Sequence, residues 1–239
     1  MATYVLIHGS WLGGWSWDRV RPMLEGAGHR VFAPTLAGMA DRRHLAAPHL
    51  GLSVHINEIV ELMERQAVTD AILVGHSYGG MVIAGTGGMI PGRIGRLCYV
   101  DGLLPRSGQS AFDLIPLMKE HFGQSPPGLP WMSSPVDPAL FGVDDESDRR
   151  WLEERVTPVP RRTVEEALPA VDDAAREAIP SAYVHCAGLP FLNETAELAA
   201  RRGMRVITLE GIGHLAMVTH PQVLARELLT LARPVGSPV

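Results

Sequence analysis

Six short apolar runs recur along the chain, separated by longer stretches of helical spacing. Thr3–His8, Arg30–Ala33, Ala71–Val74, Leu97–Val100, Ala182–Cys186 and Arg205–Leu209 each read as a strand. Between them, Trp17–Ala27 carries apolar residues at helical spacing and stops at Gly28, a fitting C-terminal cap. Ser53–Gln66 carries apolar residues at Val54, Ile56, Ile59, Val60 and Met63, an amphipathic helical pattern behind a serine suited to cap the helix. Met81–Ile90 reads as a helix despite Gly85, Gly87 and Gly88. Each glycine costs about 1 kcal/mol against alanine, so close packing on a sheet is the expected compensation. Further helices are expected at about 192–202 and 221–232, and the tail after Arg233 (PVGSPV) is expected to be loose.

Strands alternating with helices predict an α/β fold, with a mostly parallel six-stranded sheet covered by helices on both faces. Active sites of such sheets lie at the carboxyl ends of the strands. Residues 103–180 break the alternation. They hold many of the prolines, the acidic run Asp144–Asp148, and helical pieces near 110–121, 145–156 and 163–168. They read as an insertion into a single domain spanning 1–239.

Composition narrows the function. Of the 239 residues, 46% are hydrophobic, enough for a sizeable core, and the net charge is −5. No basic run with interleaved aromatics is present, which argues against a nucleic-acid partner. No apolar run is long enough to span a bilayer. The first strand starts almost at Met1, leaving no room for a signal peptide. Cys98 and Cys186 sit inside strand-like runs and read as buried free thiols in a reducing compartment. A soluble, cytoplasmic protein is expected. No His/Cys/Asp cluster has metal-ligand spacing.

The loops after the strands carry the candidate chemistry. Gly75-His76-Ser77-Tyr78-Gly79 follows the third strand and opens a helix. G-x-S-x-G in that context fits a nucleophile elbow, a turn so tight that its flanking residues must be small. A serine needs a base, and His214, in the Gly-rich loop after the last strand, is the natural one. The backbone N–H of Tyr78 and that of Ser10, after the first strand, are expected to stabilise an oxyanion. His8, His55 and His185 read as structural, and His76 is expected to point away from Ser77.

HGSWLGGWSW, GHSYGG and GIGHLAM together resemble the α/β-hydrolase superfamily, and within it the plant methyl-ester esterases, hydroxynitrile lyases and small bacterial esterases. FAPTLAGMADR and YVDGLLPRSGQS extend the similarity, which is weakest at about 115–180. The resemblance implies a Ser77–His214 pair, an oxyanion hole from Ser10 and Tyr78, no cofactor, and a small helical cap over the pocket, formed by the insertion. Two departures matter. The lyases carry a threonine after the first-loop histidine and a lysine after the catalytic histidine, where this chain has Gly9 and Leu215. Without that cation, cyanohydrin cleavage is disfavoured. The family's triad acid follows the fifth strand, but HCAGLP offers Ala187, Gly188 and Leu189 there. Asp101 after the neighbouring fourth strand, Glu194 at the next helix start, or no acid at all are the three alternatives.

Trp11, Leu103, Phe112, Met118 and Trp131 are expected to line an apolar substrate pocket under the cap, with Tyr78 beside them. These features point to hydrolysis of an ester, lactone or thioester of a small apolar or aromatic molecule. A lyase, cyclase or isomerase using His214 without an acyl-enzyme, and a ligand-binding pseudoenzyme, are the other readings. A homodimer through the cap is compatible with the sequence.

Overall fold

The structure is a computed structural model that describes residues 1–122 and 124–232. The chain runs β1 (Thr3–Ile7), α1 (Arg21–Gly26), β2 (Arg30–Phe32), α2 (Leu52–Arg65), β3 (Ala71–His76), α3 (Gly79–Met89) and β4 (Ile94–Val100). The insertion follows, with α4 (Ala111–Leu114), α5 (Met118–His121), β5 (Met132–Ser133), α6 (Glu146–Glu153), β6 (Val159–Pro160), α7 (Arg162–Glu165) and α8 (Asp173–Glu177). The alternation then resumes with β7 (Ser181–Cys186), α9 (Asn193–Arg201), β8 (Arg205–Leu209), α10 (Ala216–Thr219) and α11 (Pro221–Thr230).

Six strands pair in the order β2-β1-β3-β4-β7-β8, all parallel. Every residue of β3 is buried, as a central strand covered on both faces requires. One face packs against α2 and α3 through Ile56, Ile59, Met63, Met81 and Ile83. The other packs against Trp17, Leu24, Met217, Leu224 and Leu228. Gly85 of α3 lies on the first face. A methyl group there would fall 2.2 Å from Ile56 Cδ1, so α3 packs directly on the Ile56 side chain of α2. β5 and β6 form a separate antiparallel pair of two residues each, too short to leave a periodic signal.

Several boundaries differ from the expected ones. Gly51, not Ser53, precedes α2. Ser53 lies inside the first turn, where its N–H and Oγ–H donate to Glu166, whose carboxylate crosses from the insertion. A tertiary contact thus supplies the acceptor that a local cap would have provided. The helix expected over 110–121 is two short ones, interrupted at Pro116, because proline lacks the N–H to continue a ladder. The expected loose tail after Arg233 lies outside the described residues.

Tyr4 joins the first strand to the last helix, its buried hydroxyl donating to Leu228 O at 2.8 Å. Tyr4→Phe should cost about 1 kcal/mol and lower Tm by roughly 2–4 °C in a thermal unfolding scan. An unchanged Tm would show that this bond contributes nothing net.

Candidate active site

The turn from β3 into α3 has a backbone that the sequence around it is built to allow. Ser77 has φ 52°, in the left-handed region that non-glycine residues avoid. A Cβ on Gly75 would lie 2.4 Å from Gly79 O, and one on Gly79 2.6 Å from Ile7 O, so both must be glycine. The turn is clamped from both sides. Ser77 N–H donates to Val100 O (3.2 Å), and Ser77 O accepts from Gly80 N–H (2.9 Å) and Leu103 N–H (3.1 Å). Every main-chain polar group of Ser77 is thereby used, and the residue lines a cavity.

His214 borders the same cavity and is 2% exposed. Its N–H donates to Phe141 O (3.0 Å), so the insertion seats the loop that carries it. Its Nδ1–H donates to Asp101 Oδ2 at 2.9 Å, an arrangement that makes Nε2 the ring nitrogen available as an acceptor. Rings of His76, Phe191 and Phe141 surround it at centroid distances of 4.5, 4.9 and 5.3 Å.

Asp101, the first residue after β4, is 1% exposed and also has a positive φ, 44°. Its second oxygen, Oδ1, accepts from Cys186 N–H (2.9 Å) at the end of the adjacent β7. Of the three alternatives for an acid, the structure brings Asp101 to His214. Glu194 instead lines a separate cavity with Leu198 and Arg201. The HCAGLP loop is occupied by its own packing: Gly188 N–H donates to Ile212 O (2.8 Å), and a Cβ there would fall 2.7 Å from Ile212 C and O. A side chain at Gly188 would displace the His214 loop.

Ser10 lines the cavity, and the backbone N–H groups of Ser10 and Tyr78 have no hydrogen-bond partner among the described residues. The Tyr78 side chain does not reach the cavity, contrary to expectation. It is fully buried behind the turn, where its hydroxyl donates to His55 Nδ1 (2.8 Å) and His55 Nε2–H donates to Ala37 O (2.9 Å). His76 also corrects the sequence reading. His76 is among the residues lining the cavity, and its Nε2–H donates to His214 O (3.0 Å), so the side chain holds the neighbouring loop of the site. Gly9 leaves room for this arrangement, since a Cβ there would lie 2.8 Å from His76 Nδ1 and 2.9 Å from Ser77 Cβ.

The cavity holds about 180 Å³. Trp11, Leu103 and Met118 line it as expected, joined by Phe122, Phe141 and Phe191. Phe112 and Trp131 do not. Phe112 stands edge-on behind Phe122, 5.9 Å between centroids, and so forms a second layer. Trp131 is half-buried at the start of the β5–β6 pair, where its C=O accepts from Arg161 N–H. Apart from histidine, no ionisable side chain among the described residues lines the cavity. Leu215 forms part of the wall where a lysine would have placed a cation. Among the described residues no group of three or more His, Cys, Asp or Glu could hold a metal ion, and no helix is long and apolar enough to cross a membrane.

The fold and this wall define a class. The profile of the alpha/beta hydrolase family matches residues 4–227. The chain belongs to that family, and within it to the esterase-type enzymes of the carboxylic ester hydrolase class. Among its relatives, a carbendazim hydrolyzing esterase of Nocardioides sp. (strain SG-4G) is 33% identical over 97% of this chain and 100% of its own. Salicylic acid-binding protein 2 of Nicotiana tabacum is 26% identical, covering 96% of each. Among solved structures, an extracellular alpha/beta-hydrolase from a Paenibacillus species superposes with TM-score 0.81 at 22% identity, over 98% of this chain and 100% of that one. Tomato methylketone synthase I does so with 0.80 at 20%, over 97% of each.

The buried histidines make stability depend on pH. Burial holds the imidazoles of His8 and His55 down at about 4, against an ordinary 6.5, and pushes that of His76 well below 6.5, with the nearby His214 adding to the effect. The unfolded chain therefore takes up protons that the folded chain refuses. This stability is complete above pH 6.5 and is lost as pH falls toward 4, by up to about 1.4 kcal/mol per pH unit for each histidine. Urea unfolding at pH 7.5, 5.5 and 4.5 should show the loss beginning near 6.5, above the carboxylate range. A flat profile from 7.5 to 5.5 would contradict it.

Proposed function

We propose that this chain is a serine esterase that cleaves a carboxylic ester, lactone or thioester of a small apolar or aromatic molecule. The observation that carries the reading is the buried His214 Nδ1–H···Asp101 Oδ2 bond of 2.9 Å, which leaves Nε2 a base on the cavity that Ser77 also borders. In this reading Ser77 Oγ attacks the carbonyl carbon as His214 Nε2 takes its proton. The oxyanion that forms is held by the unengaged N–H groups of Ser10 and Tyr78. Collapse of the intermediate expels the alcohol or thiol, which leaves with the proton from His214. Water then adds to the acyl-enzyme by the same route and releases the carboxylic acid. Asp101 keeps the imidazole in the required tautomer and stabilises its protonated form.

The apolar wall supports a neutral substrate. Among the relatives are a carbendazim hydrolyzing esterase, several methylesterases and a salicylic acid-binding protein, which make methyl esters of small aromatic acids the first candidates. A non-hydrolytic reaction is less well supported: His214 has a carboxylate partner in Asp101, and Leu215 offers nothing to stabilise a departing anion.

A fluorophosphonate should label the wild type at Ser77 and leave Ser77→Ala unlabelled. Asp101→Asn should lower kcat on a methyl ester by about four powers of ten, with KM changed far less. Near-normal kcat in Asp101→Asn would remove Asp101 from the mechanism. Absent labelling together with absent ester turnover would refute the esterase reading.

A further inference from the structure

Leu103 belongs to two cavities. It lines the one at Ser77, and it lines a second, also of about 180 Å³, whose wall includes Leu104, Leu114, Glu194, Leu198 and Arg201. The second cavity has an apolar inner wall, with Leu103 and Leu104 each 2% exposed, and a polar outer edge where Glu194 and Arg201 face solvent. The backbone of Leu103 is fixed independently of its side chain. Its N–H donates to Ser77 O (3.1 Å), and its carbonyl packs so closely on Gly80 that a Cβ there would fall 2.4 Å from it. Shortening the side chain therefore thins the shared wall while the main chain beneath Ser77 keeps its anchor.

We propose that Leu103 is a specificity-determining residue. It is the partition that limits the length of a linear apolar chain bound at Ser77, and the second cavity is the subsite that such a chain enters when the partition is shortened. The proposal rests on the esterase reading for its function, since the chain would be that of an ester, but the binding geometry can be read without turnover. The apolar inner wall suits a neutral alkyl chain and disfavours a charged one.

The test is calorimetric binding of 1-alkanols from C4 to C12 to the wild type, Leu103→Ala, and Leu103→Ala combined with Leu198→Trp. Affinity should rise about fourfold per methylene while each added carbon is buried, and stop rising once the cavity is filled. In Leu103→Ala the plateau should come about two carbons later, so the longest alkanols gain about tenfold or more over the wild type. Leu198→Trp, which fills the second cavity from α9, should return the plateau to the wild-type length. Should alanine not fold, Leu103→Val gives a smaller shift in the same direction. An identical plateau in the wild type and the shortened variant overturns the proposal, as does a shift that Leu198→Trp leaves untouched. Fluorophosphonate labelling of the same preparations reads the esterase assignment separately, because alkanol binding needs no nucleophile.

Discussion

A buried carboxylate organises this site. Asp101 is removed from water, and a buried charge is tolerated only where hydrogen bonds replace its hydration. Two donors do so: His214 Nδ1–H on one oxygen and Cys186 N–H on the other. The first fixes the ring that faces the cavity. The second ties the carboxylate to the neighbouring strand, so that β4, β7 and the loop after β8 converge on one group. The charge also acts on its neighbours. Burial, reinforced by Asp101, raises the Cys186 thiol and the Tyr183 phenol well above their ordinary ranges, so both stay protonated and add no competing charge.

The rest of the molecule serves that arrangement by close approach of backbones. The elbow at Ser77 exists because Gly75 and Gly79 allow main chains within contact that any Cβ would block. The loop of His214 is held from above by Phe141 O and from the side by His76 Nε2–H. The insertion is therefore more than a cover. One of its carbonyls positions the candidate base, and Glu166 from the same segment anchors the start of α2. Aromatic rings pack around the imidazole, which is 2% exposed, and the low local dielectric strengthens its hydrogen bond to Asp101.

Much of this was legible in the chain. Parallel strands buried on both faces show as near-continuous apolar runs, and those runs predicted all six strands of the main sheet. The elbow was legible because its geometry forbids side chains at two positions, a constraint written directly as glycine. Asp101 was legible only as one of three alternatives. Its role depends on β4 and β7 being neighbours, and strand order is not encoded in local periodicity. His76 and Tyr78 were misjudged in opposite senses, since periodicity cannot say which side chain of a tight turn faces outward. Phe141 and Phe191 were missed because they lie far from His214 in sequence and carry no motif.

What the sequence determined by itself was everything local: the alternation of strands and helices, the tight turn that lifts Ser77, and the absence of a carboxylate after the fifth strand. Only the tertiary structure decided which carboxylate meets His214, which nonpolar residues form the cavity wall and which stand behind it, and that Leu103 lines two cavities. The reason is physical. Turns and periodicities are dictated by sterics between residues a few positions apart, whereas a buried hydrogen bond across 113 residues exists only once the sheet has set its strand order.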